Sequence, residues 1–297
     1  MAETSATDVS QSTTPSGDAA VESDAASALF TDVLCAVDGS PGGFAAVEQA
    51  ARLTGPDGRI TLLLVTSFRS AGASRSPEIG PLRAKEILDR AVAIAEQASV
   101  RTTVEVDPAA PPAEVILEWA AEHDLLAMGA PSTPWPAGMF AGGPTASAVD
   151  ALRTPLLAAR PLSSEGTWGD GAILVASDGL DGSEQLVELA ARLGNAQDAD
   201  VHLLHAATLR SRGRRDRIAE QGRALELALE GSSSVRIESG SARTAIAEVA
   251  RDVQAHLIVM SSRRLHGPRA IGSVSRHTVH KADSSVLLVP PDHLVAA

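Results

Sequence analysis

Short apolar runs alternate with stretches of helical period along most of the chain. In the first half, these runs predict strands at residues 32–38, 59–66, 101–106, 125–128 and 155–159. Helical spacing predicts helices at residues 82–98, 112–122 and 142–152. A further helix is expected to start at Ser40-Pro41, because serine caps helices and proline fits their first position. Buried strands that alternate with helices predict parallel βαβ units and an α/β fold.

The same pattern occurs a second time. Residues 36–39 match residues 176–179, and residues 125–128 match residues 257–260. This repeat predicts two α/β domains, at residues 29–162 and 170–292, with a short linker around Trp168. Residues 1–28 are rich in Ser, Thr, Ala and Asp and contain no Lys or Arg. Such a segment cannot bury enough apolar surface to order itself, so we predict a disordered tail.

Composition narrows the function classes. The net charge of −12 argues against general binding to nucleic acid or anionic membranes. We find no apolar run of about 18 residues and no secretory signal, so we expect neither a membrane span nor export. Cys35 is the only cysteine, which fits a reducing cytoplasm, and its apolar surroundings predict a buried small hydrophobe.

Two aspartates and a glycine-serine segment mark a candidate site. Asp38 and Asp178 each end a predicted first strand, and the crevice of an open α/β sheet lies at the carboxyl ends of its strands. Each carboxylate can accept from a ribose or an amino group; the alternative is that Asp-Gly only makes the turn. Residues 272–275, Gly-Ser-Val-Ser, open a predicted helix whose free N–H groups favour an anion.

Each half of the chain resembles a universal stress protein (UspA) domain, and the whole is similar to tandem-domain members of that family. The resemblance is carried by residues 33–40 (VLCAVDGS), 112–116 (PAEVI) and 272–275 (GSVS). It implies two tandem flavodoxin-like, adenine-nucleotide-hydrolase-like domains. Each would be a five-stranded parallel sheet with helices on both faces and the strand order 3-2-1-4-5. The terminal strands of the two sheets would face each other across a pseudo-twofold axis.

The resemblance also implies that ATP or another adenine nucleotide is the ligand. In the ATP-binding branch, an aspartate ending the first strand contacts the adenosine, and a loop Gly-x2-Gly-x9-Gly-Ser/Thr follows the fourth strand. The first-domain positions it implies are Ala36, Asp38, Val65, Gly129, Ser132, Gly142, Gly143 and Thr145. The second-domain positions are Ala176, Asp178, Met260, Ser261, Arg264, Gly272, Ser273, Val274 and Ser275.

Both loops depart from the family pattern. In the first domain Ser132 stands for the second glycine, Gly143 stands for the serine or threonine, and prolines remove main-chain donors. In the second domain Ser261 and Arg264 stand for glycines, and the loop is two residues shorter than the pattern. The second loop nevertheless brings arginines, which bind phosphates well. We therefore predict that the second domain is the stronger nucleotide site.

The sequence predicts a binding protein and not an enzyme. We find no Gly-Lys-Ser/Thr phosphate loop and no set of nucleophile, base and oxyanion donors. His277 and His280 lie three apart on a predicted helix, where a metal site is the alternative to the favoured interpretation as surface residues. As the resemblance implies, we expect a cytoplasmic, homodimeric, nucleotide-binding regulator of stress adaptation. The alternative is a nucleotide-free dimerisation and interaction module of the same fold.

Overall fold

The computed structural model describes residues 29–66, 79–108, 111–130, 145, 148–149, 153–161, 168–180, 182–207, 212–262 and 274–294. Its strands are β1 Phe30–Ala36, β2 Thr54–Val65, β3 Arg101–Asp107, β4 Leu125–Gly129, β5 Leu156–Ala159, β6 Ala172–Ala176, β7 Val201–Ala207, β8 Ser233–Ser239, β9 Ala255–Ser261 and β10 Ser285–Val289. Its helices are α1 Pro41–Leu53, α2 Pro81–Gln97, α3 Pro112–Ala120, α4 Ser183–Gln197, α5 Arg215–Ala228, α6 Ala242–Asp252, α7 Val274–Lys281 and α8 Pro291–Leu294. The predicted tail, residues 1–28, lies outside the described residues.

All ten of these strands belong to one sheet, in the order β3-β2-β1-β4-β5-β10-β9-β6-β7-β8. Within each half the strands are parallel and follow the predicted order 3-2-1-4-5, which confirms the α/β fold class. The halves meet where β5 pairs antiparallel with β10, with Leu157 opposite Leu287. This pairing confirms the expectation for the terminal strands, and it covers two edges that would otherwise be open.

The central strands are apolar on both faces because helices cover both sides of the sheet. Val33 and Cys35 of β1 pack into a cluster with α1, α2, α4 and α5. Leu34 and Ala36 point the other way, into a cluster with α3, α6 and α7. Fully burying a side chain the size of valine or leucine stabilises a fold by about 1.5–3 kcal/mol. Burial on both faces explains why continuous apolar runs mark these strands in the sequence.

The two edge strands, β3 and β8, differ from the central ones. Four of their apolar side chains remain 42–49% exposed, namely Val104, Val106, Val235 and Ile237. Polar residues alternate with them, as expected for strands with a solvent-facing side. Hydrophobic continuity therefore marks the centre of this sheet, and alternation marks its edges.

Trp168, in the segment that we predicted as a short linker, is part of the core. Its side chain is only 1% exposed. Its ring meets the ring of His256 edge-on, with centroids 4.9 Å apart. The two nitrogens of His256 lie 2.9 Å from the Gly171 carbonyl oxygen and 2.8 Å from Gln197 Oε1. The chain entering the second domain is thus anchored at the start of β6.

Candidate functional site

The first domain has a cleft at the carboxyl ends of β1, β2 and β4, beside the start of α3. Its volume is about 140 Å³. Five of the residues implied by the family resemblance line it together: Ala36, Asp38, Val65, Gly129 and Thr145. These residues come from widely separated parts of the chain. The topology brings them to one edge of the sheet, because the carboxyl ends of parallel strands lie side by side.

The cleft is an apolar slot with a carboxylate at its rim. Leu63, Val65, Ile116 and Met128 are buried side chains on its walls. Asp38 is exposed. Apolar walls with few polar groups are typical of sites for small flat ligands, in which the polar groups fix the orientation.

Asp38 also shapes the turn that leads into α1. Its Oδ1 accepts from the main-chain N of Ser40 at 2.9 Å, and Ser40 Oγ accepts from Gly43 N at 3.0 Å. Gly39 has φ +79°, a left-handed conformation that favours glycine. Asp-Gly therefore does make the turn, and this uses only Oδ1 of Asp38. The other carboxylate oxygen, Oδ2, has no hydrogen-bond partner among the described residues.

Close packing requires glycine at position 129. A Cβ atom at this position would lie 2.7 Å from the Gly42 carbonyl carbon and 2.9 Å from Gly43 N. Main-chain atoms cannot approach a Cβ so closely, so the end of β4 packs on the start of α1 only with glycine here. Thr145 Oγ1 then donates to the Gly129 carbonyl oxygen at 3.0 Å.

The second domain places its candidate residues at the matching ends of β6 and β9 and at the start of α7. Ala176, Asp178, Met260 and Ser261 come from the strand ends, and Val274 and Ser275 open the helix. Asp178 Oδ1 accepts from Leu180 N at 2.9 Å and lies 3.2 Å from Ser183 Oγ. Ser275 Oγ donates to the Ser261 carbonyl oxygen at 3.4 Å. The loop between Ser261 and Ser275 is thus joined at its ends as in the first domain.

Six candidate residues lie outside the described residues: Ser132, Gly142, Gly143, Arg264, Gly272 and Ser273. They belong to the two loops to which the resemblance assigns the phosphates. The preference for the second domain rests on these loops, so it stays a prediction.

Two arginines contact the turn at Asp178, and the sequence did not identify them as candidate residues. Arg214 Nη1 donates to the Asp178 carbonyl oxygen at 2.9 Å, and Arg217 Nη1 donates to the Gly179 carbonyl oxygen at 3.0 Å. Arg214 directly precedes α5 and Arg217 lies in its first turn, more than 30 residues after the Asp178 turn. The sequence shows that residues 212–217 are rich in arginine. It does not show that two of these side chains contact the Asp178 turn.

A buried polar cluster below the Asp178 turn was also missed. It consists of Ser177, His205 and Gln221, which are 5%, 2% and 2% exposed. Comparing the halves would have exposed it, because the first half has Val37 and Leu64 where the second has Ser177 and His205.

The histidine pair on α7 gives no indication of a metal. Across the described part of the chain, no group of three His, Cys, Asp or Glu side chains is placed to hold an ion. Burial, with Arg243 and Lys281 nearby, lowers the pKa of His277. In the same part of the chain, no helix combines the length and hydrophobicity that crossing a bilayer requires.

The fold and the cleft define a tandem α/β protein whose first domain has a cleft at the carboxyl ends of its strands. The chain belongs to the universal stress protein family, whose model matches residues 30–160 and 171–290. The comparison with curated proteins gave no match.

Several solved structures are similar to this chain. A universal stress protein from Archaeoglobus fulgidus DSM 4304 is 19% identical, with a TM-score of 0.75 over 88% of this chain and 98% of that one. A putative universal stress protein from Pseudomonas aeruginosa UCBPP-PA14 is also 19% identical, with a TM-score of 0.65 over 90% of this chain and 95% of that one. An Archaeoglobus fulgidus universal stress protein in complex with dAMP is 19% identical and covers 40% of this chain and 96% of its own, with a TM-score of 0.33. At these identities the likeness shows the fold alone.

Proposed function

We propose that this protein binds an adenine nucleotide such as ATP and acts as a regulator of stress adaptation. The observation that carries the proposal is the first-domain cleft, which joins an apolar slot to the rim carboxylate of Asp38. Walls formed by Leu63, Val65, Ile116 and Met128 suit the faces of a purine, and the carboxylate can accept from ribose hydroxyls. Family membership supports the same class of ligand.

The phosphates would extend toward the helical segment that contains Thr145. That segment follows the loop after β4, and a helix start offers free N–H groups and the positive end of the helix dipole. Thr145 lines the cleft and is tied to Gly129, so it fixes the distance between the slot and the helix.

We propose that the second domain is the stronger site, because its loop carries Arg264 and other arginines whereas the first loop carries prolines. A charge-assisted hydrogen bond is worth about 1.5–3 kcal/mol, or roughly ten- to a hundredfold in affinity. Gly272→Asp should therefore abolish most ATP binding, by charge repulsion and steric block, while Gly142→Asp should matter less. Equal losses, or loss with Gly142→Asp alone, would reverse the assignment.

We propose further that binding occurs without catalysis, in the cytoplasm, by a homodimer. Among the described residues that line the first cleft, Asp38 and Thr145 are the polar side chains, and Thr145 already donates to a carbonyl. This pair does not form a nucleophile with its base. The thiol of Cys35 is free and fully buried, which suits a reducing compartment.

The second candidate function is a nucleotide-free interaction module. The observation that favours it is the exposed apolar character of the edge strands, at Val104 and Val106 on β3 and at Val235 and Ile237 on β8. Edge strands with exposed apolar residues can pair with a partner chain.

The test is analysis of nucleotides released from the purified full-length protein, followed by titration with ATP and GTP. Asp38→Ala and Asp178→Ala should each weaken ATP binding by about tenfold at the affected site, because each removes a charged acceptor. Asp89→Ala is the matched control, since Asp89 pairs with Lys85 on the exposed face of α2. Absence of bound nucleotide, together with no response to ATP, would favour the interaction module.

A further inference from the structure

The edge strand β3 has open hydrogen-bonding positions along its outer side. Thr66 N donates to the Asp107 carbonyl oxygen at 2.9 Å, so the main-chain groups of Asp107 face β2. Successive residues of a strand in a parallel pair face alternate sides, and therefore Thr102, Val104 and Val106 direct their N–H and C=O groups away from the sheet. Among the described residues, these main-chain groups have no hydrogen-bond partner. A strand edge of this kind is a template for pairing with another chain.

The same edge lacks several features that usually block such pairing. Bulges, prolines and lysines are common guards of an exposed edge. β3 pairs with β2 from Arg101 to Asp107 without a bulge, and its sequence, RTTVEVD, contains neither proline nor lysine. Val104 and Val106 are 42% and 49% exposed, so a partner strand would remove apolar surface from water. The edge is therefore suited to be covered.

The charges of β3 are complementary to those of a second copy of the same strand. An antiparallel pairing centred on Val104 uses the whole strand and places Arg101 of one protomer opposite the partner's Asp107. Two-fold symmetry forms this pair twice. Glu105 then faces the partner's Thr103 and lies diagonal to the partner's Arg101, within reach of a long side chain. Opposite charges that face each other across two strands stabilise the pairing.

This register also satisfies the main-chain groups of the edge. Val104 faces the partner's Val104, and Thr102 faces the partner's Val106. All of these residues direct their N–H and C=O groups outward, and outward-facing residues that lie opposite each other exchange hydrogen bonds in an antiparallel pair. Arg101 and Asp107 fall on the positions between them, where facing side chains approach most closely.

Arg101 and Asp107 both have capacity for these contacts. The Arg101 guanidinium donates to the Asp57 carbonyl oxygen, which leaves further N–H donors for a carboxylate. Trp119 Nε1 of α3 donates to Asp107 Oδ2 at 3.4 Å, and a carboxylate can accept more than one such bond. Trp119 thereby shows that Asp107 lies on the α3 face of the sheet. Arg101 shares that face because side chains alternate along a strand.

The opposite edge, β8, does not fit a copy of itself in this way. Gly240 N donates to the Ala207 carbonyl oxygen at 3.2 Å, so the main chain of Arg236 faces β7 and that of Ile237 faces outward. Full-length antiparallel self-pairing of β8 would place Arg236 opposite Arg236, and like charges in that position are destabilising. Full-length antiparallel pairing of β3 with β8 would set the outward-facing Val104 against the inward-facing Arg236, so the hydrogen bonds would not match. Closed pairing of β3 with β3 is therefore favoured over an open chain of copies.

We propose that two copies of this protein associate through antiparallel pairing of β3 with β3, centred on Val104. This inference rests on the homodimer proposed above and names its interface. The two ten-stranded sheets join into one continuous sheet, and the same surface of each copy forms the contact. The first-domain cleft is lined by no residue of β3, so the pairing does not use the residues of the proposed nucleotide site.

The experiment is analytical ultracentrifugation of the full-length protein over a range of concentrations. Val104→Pro removes an outward-facing N–H and leaves the hydrogen bonds to β2 in place, because proline is tolerated where the N–H of an edge strand faces solvent. Each copy then loses one hydrogen bond to its partner, so the dissociation constant of the dimer should rise by about tenfold or more. Ile237→Pro is the matched control, since it removes an outward-facing N–H from β8 and should leave the dimer unchanged.

Charge variants give an independent test of the register. Arg101→Asp and Asp107→Arg each place like charges opposite each other in the dimer, so either variant alone should associate several-fold more weakly than the parent. When the two variants are mixed, every such position again joins opposite charges. The mixture should therefore recover dimers that contain one copy of each variant.

Three results would overturn the proposed interface: an unchanged dissociation constant with Val104→Pro, an equal loss with Ile237→Pro, or a mixture of the charge variants that stays monomeric. Circular dichroism checks that each variant is folded, and if Val104→Pro does not fold, the charge variants decide the question alone. A parent that is monomeric at every concentration would refute the proposed homodimer together with its interface. A parent dimer that none of the β3 variants weakens would refute the interface alone.

Discussion

Thr145 Oγ1 donates to the carbonyl oxygen of Gly129 at 3.0 Å, and this bond joins the end of β4 to the helical segment that follows its loop. Ser275 and Ser261 repeat the relationship in the second domain at 3.4 Å. In the second domain, where Ser275 is the second residue of α7, this hydroxyl holds the helix start against the end of β9. The N–H groups at the start of α7 are thereby kept at the carboxyl edge of the sheet, where an anionic ligand would bind.

Replacement of Gly129 should destabilise the protein in the absence of any nucleotide. Gly129→Ala forces its Cβ against Gly42 and Gly43, and overpacking of this kind costs about 1–3 kcal/mol. Gly213→Ala is the control, because its Cβ would meet nothing within 4 Å. Chemical denaturation of nucleotide-free protein measures both. Equal stability of the two variants would show that α1 can move away from β4 without cost.

Trp168 should contribute strongly to the stability of the second domain, although it lies just ahead of the first strand of that domain. Trp168→Ala removes a ring that is 1% exposed, and truncations of this size cost about 3–5 kcal/mol. Leu227→Ala removes a large apolar side chain that is 88% exposed, so it should change the free energy of unfolding by less than about 0.5 kcal/mol. Urea unfolding compares them, and a small effect at Trp168 would place it outside the cooperative core.

The contrast between Trp168 and the central strands shows what sequence patterns can predict. Leu125 and its neighbours in β4 belong to a run that must be buried on both sides, so local hydrophobicity identified the strand. Trp168 stands between Gly166 and Gly169, and local turn residues predicted a linker. Its burial depends on His256, 88 positions further along, and no local period encodes that contact.

Some residues of the candidate site could also be predicted from the sequence, and others could not. Asp38 and Gly129 were found because a family motif names them, and the parallel topology then brings them to one cleft. The contacts of Arg214 and Gln221 with the Asp178 turn were not found. Gln221 lies on α5 and Arg214 directly precedes that helix, and only the packing of this segment against α4 and β8 places them at the turn.

The pair of Asp32 and Arg59 should make stability depend on pH in the acid range. The hydrogen bond from Arg59 lowers the pKa of Asp32, with burial opposing and the charges of His123 and Arg59 assisting. Because the folded pKa lies below the unfolded value of about 3.9, this stabilisation is present above that pH and is lost as the pH falls through the folded pKa.

Arg59→Gln should therefore be slightly less stable than the parent at pH 6, and the difference should be small because Arg59 is 59% exposed and water screens the pair. The difference should narrow as the pH falls below about 3.9, because Asp32 of the unfolded chain then becomes protonated and the advantage of its lowered folded pKa is lost. Urea unfolding at the two pH values measures it. A difference that stays constant with pH would mean that Arg59 acts through packing of its stem and not through its charge.

Arg160 should couple the unfolding of the two halves. Its Nη2 donates to the carbonyl oxygen of Val279 at 2.8 Å, near the carboxyl end of α7, while its main-chain N donates to Ser285 Oγ at 3.0 Å. On the first-domain side, Gln49 Nε2 donates to the Arg160 carbonyl oxygen at 2.8 Å. Burial lowers the pKa of the guanidinium. A cation at the end of a helix is favoured by the helix dipole, so this residue links β5 to the second domain by charge as well as by hydrogen bonds.

Arg160→Met keeps most of the apolar stem and removes the charged donor to Val279, a loss worth about 1.5–3 kcal/mol. Because that bond joins the halves, its loss should lower the cooperativity of unfolding, and the urea transition should broaden or separate into two. Arg160→Lys retains the charge on a flexible stem and should keep more of the coupling. Hydrogen exchange of the β5–β10 pair provides an independent measurement, with faster exchange expected in Arg160→Met. A single, unshifted transition with unchanged exchange would show that the antiparallel pairing of Leu157 with Leu287 and its neighbours joins the halves without help from the arginine.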